Sequence, residues 1–367
     1  MEIHWRSFVL LAFKLFILSL FLSPFFDSAM ALDELFEIYS SPQGLLMGNA
    51  MTSDAQGHVS NYYNPAGLAK ASKREWEIIP VALEATHGIK SLGYSASAQS
   101  LGIHQVAREM KKHPGDYYYN RVNFLPAVSK RGFGIALLGS YQNAGRSDGT
   151  NFDAFSTVDL GGSVGTAANL AGNLLKFGFA AKVLLRNQLN GTFDHSTIDT
   201  EESVKEKMKE GLGAGADFGL LFTFPNKYLP TFALVWRDIL NTQFFSASHT
   251  LNRFADGKPD PIQQSINAAF SIHPYFSRRW KGTFALEFKH FERTDLSLRK
   301  RFHLGFQLAD EKSLFFWAGL NQLYWTAGLG LRLRGGNLEL GTYGVDVGQG
   351  NQNSEDRRIV LRYTIGF

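Results

Sequence analysis

The last ten residues, Arg358-Ile-Val-Leu-Arg-Tyr-Thr-Ile-Gly-Phe367, put Ile359, Leu361, Tyr363, Ile365 and Phe367 on one face and Arg358, Val360, Arg362, Thr364 and Gly366 on the other. A strand that is apolar on one side, polar on the other and ends on an aromatic reads as the closing strand of an outer-membrane β-barrel. That reading fixes the solvent for the chain: outer-membrane lipid outside the wall, water or protein inside it. Tyr363, Ile365 and Phe367 are then the assembly signal offered to the barrel assembly machinery.

The other strands have to be found by the same alternation. Fourteen runs alternate: Glu75–Leu83, Arg121–Val128, Phe133–Tyr141, Phe152–Ser163, Lys176–Arg186, Gly213–Phe224, Thr231–Ile239, Ser265–His273, Thr283–Phe291, Leu298–Leu308, Leu314–Leu320, Leu323–Arg334, Leu338–Val345 and Arg358–Phe367. An even number suits a bacterial barrel whose strand set begins and ends on the periplasmic side. Connections mostly alternate short and long. Short ones such as Ser129–Gly132, Pro225–Pro230 and Gly335-Gly336 belong on the periplasmic side; Asn143–Asn151, Asn187–Glu210, Leu240–Gln264 and Gly348–Asp356 belong outside. The predicted fold is an all-β, 14-stranded antiparallel transmembrane barrel occupying 75–367. Abundant Phe and Gly, 31 and 36 residues, suit aromatic-bearing strands joined by tight turns.

One run breaks the pattern. In Ser95–Lys112, Leu101, Ile103, Val106, Ala107 and Met110 fall at helical spacing, so a helix is expected in the first outer connection, over or in the barrel mouth.

The N-terminus has its own order. Arg6 and Lys14 precede an apolar run, Leu15–Phe26, and then Ala29-Met30-Ala31, which reads as a secretory signal over 1–31. No later segment reaches the roughly 18 apolar residues of a membrane-spanning helix. The chain has no cysteine, which suits an envelope compartment and excludes Fe–S clusters and Cys-based zinc. A net charge of +4 without any large basic block argues against nucleic acid.

Between the signal and the first strand lies 32–74, without sustained alternation. It contains Ser40-Ser41-Pro-Gln-Gly44-Leu-Leu-Met-Gly48, Asp54, and Asn61-Tyr62-Tyr63-Asn64-Pro65-Ala66-Gly67-Leu68-Ala69. This stretch resembles the N-terminal hatch of the FadL-type outer-membrane transporters of hydrophobic compounds; secretion-associated PorV-type barrels start similarly. The resemblance implies a 14-stranded barrel plugged by the hatch, with Gly44, Gly48, Asp54, Asn64, Pro65 and Ala66 as hatch residues. Hydrogen bonds from Asp54, Asn61 and Asn64 to lumen arginines are expected to hold it. Family members release ligand sideways through a kink in the third strand. Here Phe133–Tyr141 has no proline to force one, although Gly134 and Gly139 permit a bulge.

Inward parity collects many arginines. Arg299, Arg301, Arg358 and Arg362 stand as ligand or plug contacts, able to hold a carboxylate by bidentate bonds or simply to pair across the lumen. The outer loop Asn187–Glu210 is charged, which leaves Phe244-Phe245 as the apolar landing site. No spacing singles out a catalytic nucleophile, a metal set or a cofactor motif. The function expected is passive uptake of a hydrophobic or amphipathic small molecule. The alternatives are an accessory barrel docking secretion-system proteins and, less favoured, a barrel-embedded hydrolase.

Overall fold

The computed structural model describes residues 32–87, 102–246, 249–310, 312–349 and 352–365. The signal segment 1–31, Phe367 and the first part of Ser95–Lys112 lie outside the described residues. Among those residues, no helix is long and apolar enough to cross a membrane.

The chain crosses with strands instead, and they close into a 14-strand antiparallel barrel. Strand β1 comprises Glu75–Glu77 and Val81–Thr86, and β2 comprises Tyr117–Phe124 and Ala127–Lys130. Four long strands follow: β3 Phe133–Ser147, β4 Asn151–Leu170, β5 Leu175–Asp194 and β6 Lys209–Thr223. Strand β7 comprises Thr231–Arg237 and Gln243–Ser246. Shorter strands complete the wall: β8 Ser265–Ile272, β9 Trp280–Phe288, β10 Phe302–Asp310, β11 Leu314–Asn321, β12 Tyr324–Leu333, β13 Gly336–Asp346 and β14 Glu355–Ile365. Closure is by β14 on β1, in register from Arg358–Thr86 to Tyr363–Val81. Each of the fourteen strands thus has a hydrogen-bonded neighbour on both sides, which is what a bilayer demands.

The faces follow the alternation of the sequence. Ile359, Leu361 and Tyr363 point outward and are exposed, while Arg358, Val360, Arg362 and Thr364 are buried. The same split recurs on β12, where Trp325, Leu329, Leu331 and Leu333 face out and Thr326 faces in. A Lys or Arg on the lipid face would cost about 2–4 kcal/mol at mid-depth. The buried charges Lys182, Arg186, Glu287, Arg358 and Arg362 accordingly all lie on the inner face.

Several boundaries differ from the sequence reading. The supposed loop Asn143–Asn151 is mostly strand, because β3 runs to Ser147 and only Asp148–Thr150 separates it from β4. Asn187–Glu210 is likewise strand to Asp194, then a short 3-10 turn and a helix, Glu201–Lys207. The start of Leu298–Leu308 is a single helical turn, Leu298–Arg301, rather than strand.

The reason is a collar. Helices α1, Ile103–Met110, and α2, Glu201–Lys207, pack on the outward face of the tall strands rather than over the mouth. Ile103, Val106, Ala107, Met110, Val204 and Met208 bury against Tyr118, Phe152, Ala154 and Leu189. Arg108 ties the two regions by donating to the Asp199 carbonyl at 2.8 Å. Above the membrane, then, the outer face of β3–β5 is covered by protein, and polar and apolar residues no longer alternate there. Strand β3 pairs continuously with β4 and keeps one register with both pieces of β2 across the Leu125-Pro126 interruption, so Gly134 and Gly139 make no bulge.

Candidate functional site

Inside the barrel, inward-facing residues of the wall hold the segment Leu32–Ala71. Its local turns are set by caps: Ser41 accepts from Gly44 N ahead of Pro42, and Asn64 accepts from Ala66 N at 3.1 Å ahead of Pro65. Asx or Ser at the cap with Pro just after it is a standard helix-start pair. The wall receives these turns on two sets of glycines. Gly305, Gly319, Gly328 and Gly341 on β10–β13 lie against Leu46-Met47-Gly48; Gly134, Gly165, Gly178 and Gly219 on β3–β6 lie against Asn61, Asn64-Pro65-Ala66 and Leu68. A methyl group at any of the eight would overlap the segment or the neighbouring strand. Gly48 adds a backbone requirement, with φ of 62° and an approach to the Leu304 and Leu320 backbone that leaves no room for a side chain.

Polar contacts complete the fit, but not to the arginines expected. Asp54 bonds His273 at 2.9 Å. Asn61 donates to Ser163 Oγ at 3.1 Å, and Asn64 donates to the carbonyls of Thr52 and Leu220. Thr52 donates both N–H and O–H to the Glu287 carboxylate, at 2.9 and 2.6 Å. Gly44 lies under the Tyr63 ring, whose hydroxyl accepts from Ser41 N at 2.9 Å.

Above this packing the first residues, Leu32–Tyr39, run through the upper lumen and carry the acids that neutralise it. Glu34 meets Arg358 in a bidentate pair, both bonds 2.7 Å, and Arg358 also bonds Asp356 at 2.6 Å. Glu37 bridges Lys289 at 2.9 Å and Arg237 at 3.4 Å. Across the wall, Lys182 pairs with Asp217 and Asp238, Arg186 with Asp159, and Arg362 with Glu77 and Glu339.

A cavity of about 120 Å³ opens beside this strap. Its apolar lining is Leu35, Phe36, Ile38, Tyr62, Phe155 and Ile262, with Phe36 stacked on Phe155 at 3.9 Å between ring centres. Its basic lining is Lys182, Arg186, Arg237 and Arg293, and each of these is ion-paired with a carboxylate. A second, polar space of about 50 Å³ lies across Leu35-Phe36-Glu37 and reaches Arg121, His303 and Arg358.

The residues singled out from the sequence are therefore scattered. Arg358 lines the polar space. Arg362 sits on the seam between β14 and β1, bonded to Glu77. Arg299 stacks on Tyr324 and Arg301 on Phe288, both at 4.4 Å, and neither lines either of these two spaces. Phe244 and Phe245 are in the upper piece of β7, not in a loop: Phe244 is buried inward, with Arg186 over its ring, while Phe245 faces out. Sequence reasoning passed over Glu34, Phe36, Glu37 and Phe155. The one signal was the acidic and apolar mixture Asp33-Glu34-Leu35-Phe36-Glu37-Ile38 at the head of the segment. Among the described residues no group of three or more His, Asp or Glu side chains is placed to hold a metal.

A closed 14-strand antiparallel barrel with an apolar outer belt and an interior segment is a transmembrane β-barrel of the outer-membrane kind. No protein-family model matches the chain, and no curated protein sequence matches it. Solved structures do. The toluene transporter TodX of P. putida superposes with a TM-score of 0.53 at 12% identity, over 89% of this chain and 98% of that one. The TodX deltaS2S3 mutant, described as a monoaromatic hydrocarbon channel, gives 0.51 at 12% identity, over 89% and 99%. At such identity the likeness establishes the fold, and it is the 14-strand FadL-like fold that the hatch motif implied.

Proposed function

We infer that this barrel is an outer-membrane channel for small, neutral hydrophobic molecules, with residues 32–74 acting as its plug. The observation that carries this is the cavity at Phe36 and Phe155: apolar on one side, with every lining Lys and Arg already paired to an acid. A guest carboxylate would have to break a buried pair to claim Lys182, Arg186 or Arg237, and losing one partner of such a pair costs about 3–5 kcal/mol. A neutral ring has no such cost. The size suits one small ring, since engineered apolar cavities of about 150 Å³ take up benzene. TodX, with which the chain shares its fold, is described as a toluene transporter, which supports the same class of cargo.

Below Tyr62 the lumen is packed, so passage requires the plug to move. The same packing favours a second reading, an accessory barrel that docks secretion-system proteins and passes nothing. Uptake separates the two. Cells making this protein should take up radiolabelled toluene faster than cells carrying an empty vector, with benzoate uptake unchanged. Faster benzoate alone would overturn the neutral-cargo reading, and no change in either would favour docking.

A further inference from the structure

The two ends of the barrel differ in charge. The periplasmic turns, from β2–β3 to β12–β13, carry Arg131, Lys227, Arg278, Arg279, Lys312 and Arg334 against a single acid, Glu311. The outer connections mix both signs, as in Glu201–Lys207, which holds three acids and two lysines. Three of the periplasmic turns form one stretch of rim. His273 N, in the β8–β9 turn, donates to the Tyr228 carbonyl of the β6–β7 turn at 2.7 Å, and Arg279 forks onto Asp310, where β10 ends, at 2.8 and 3.0 Å. Lys227, Arg278, Arg279 and Lys312 thus lie along it.

Aromatic rings fix the depth of that stretch. Tyr228, Tyr275 and Phe276 stand in these turns with 46%, 60% and 58% of their surface exposed. The Phe276 ring lies on Gly282, on the lipid-facing side of β9 beside the exposed Phe284. Each ring but that one carries a cation: Lys227 sits 4.7 Å from the Tyr228 ring centre, Lys281 6.0 Å from Tyr275, and Arg279 5.8 Å from Trp280. Cations seated on an aromatic girdle lie at the level of lipid headgroups. Two of the cations are also available. Arg278 is exposed and has no hydrogen-bond or ion-pair partner among the described residues, and Lys227 has only its ring.

We propose that this stretch of rim is a binding site for an anionic phospholipid of the periplasmic leaflet, its phosphate held by Lys227 and Arg278 and its chains lying on the lipid-facing Phe232 and Phe284. An anionic headgroup meets an excess of cations held at its own depth. A zwitterionic one brings its own ammonium and gains less. The rings hold Lys227 and Arg279 against the membrane boundary rather than out toward an acidic protein in the periplasm. This site is independent of the cargo assigned to the upper cavity.

Native mass spectrometry of the purified protein in neutral detergent, with phosphatidylglycerol or phosphatidylethanolamine added at equal concentration, tests the site. Phosphatidylglycerol should be retained more tightly. Lys227→Gln with Arg278→Gln should weaken its binding about fivefold for each charge removed. Lys207→Gln with Lys258→Gln, the same charge change on exposed lysines of the outer connections, should leave it unchanged. Heat-modifiable gel mobility checks that the variants fold. If the rim pair does not, Arg278→Gln alone should lose lipid where Arg278→Lys keeps it. Equal retention of the two lipids by the parent, no loss in the rim variants, or an equal loss in the outer pair would overturn the proposal. Displacement of phosphatidylglycerol by inorganic phosphate at the same concentration would mark a free-anion site and overturn the lipid.

Discussion

Around Leu46–Gly48 and Asn64–Ala66 the lumen is closed by main chain pressed on wall glycines; around Leu35–Glu37 it is closed by paired charges beside a cavity. The first contact leaves no room for a methyl group, whereas the second leaves room for a small ring. The two halves teach different things about specificity. Glycine docking fixes where the inner segment lies, and in the function proposed here the ion pairs select what enters above it.

The comparison can be broken most forcefully in the upper half. Arg358→Leu leaves Glu34 and Asp356 buried without their cation, so unfolding in denaturant should be easier by about 3–5 kcal/mol. Glu34→Gln should cost much less, because Asp356 still faces Arg358. In the lower half, Gly178→Val drives a side chain into the Pro65 carbonyl and should cost about 1–3 kcal/mol by overpacking. It should also raise ion leak in planar bilayers. Gly335→Ala, at a turn with nothing within 4 Å, should change neither stability nor leak. A smaller effect is expected for Phe36→Ala, which removes the stack on Phe155, about 0.5–1.5 kcal/mol. That variant should weaken toluene binding while leaving the leak at its original level.

The smallest effect lies outside both halves, in the collar. His195 bonds Ser147 at 2.8 Å, and burial, helped by Lys111, holds its pKa below the ordinary histidine value. The folded collar therefore binds fewer protons than the unfolded one just below pH 6.5. Its stability is full above that pH and declines as pH falls toward the depressed value. Amide exchange over Ile103–Met110 should be modestly faster at pH 5 than at pH 7.5, and His195→Phe should flatten the difference.

Much of the wall was legible because alternation is a direct consequence of lipid on one side. The final strand shows this best: Ile359, Leu361 and Tyr363 face out and Arg358 and Arg362 face in, as its ten residues imply. Legibility failed where lipid is absent. The upper parts of β3–β5 carry buried residues on both faces, under the collar outside and beside the strap inside, so Asn143–Ser147 and Asn187–Asp194 read as loop. It failed again for long-range fits. Nothing near Gly305 or Gly341 announces that Met47 or Leu46, hundreds of residues earlier, will lie against it. The arginines show a third limit. Parity placed Arg358 in the lumen, but its partner Glu34 lay in a stretch without periodicity, and a free ligand-binding cation could not be told from a paired one.

The claim that the upper cavity takes a small neutral guest is tested most directly by locating one. Crystals soaked with bromobenzene should show anomalous bromine signal between Phe36, Phe155 and Ile262, with the Glu34–Arg358 and Glu37–Lys289 pairs intact. Bromine found only on the lipid-facing wall, or a guest seated only after those pairs have separated, would contradict it.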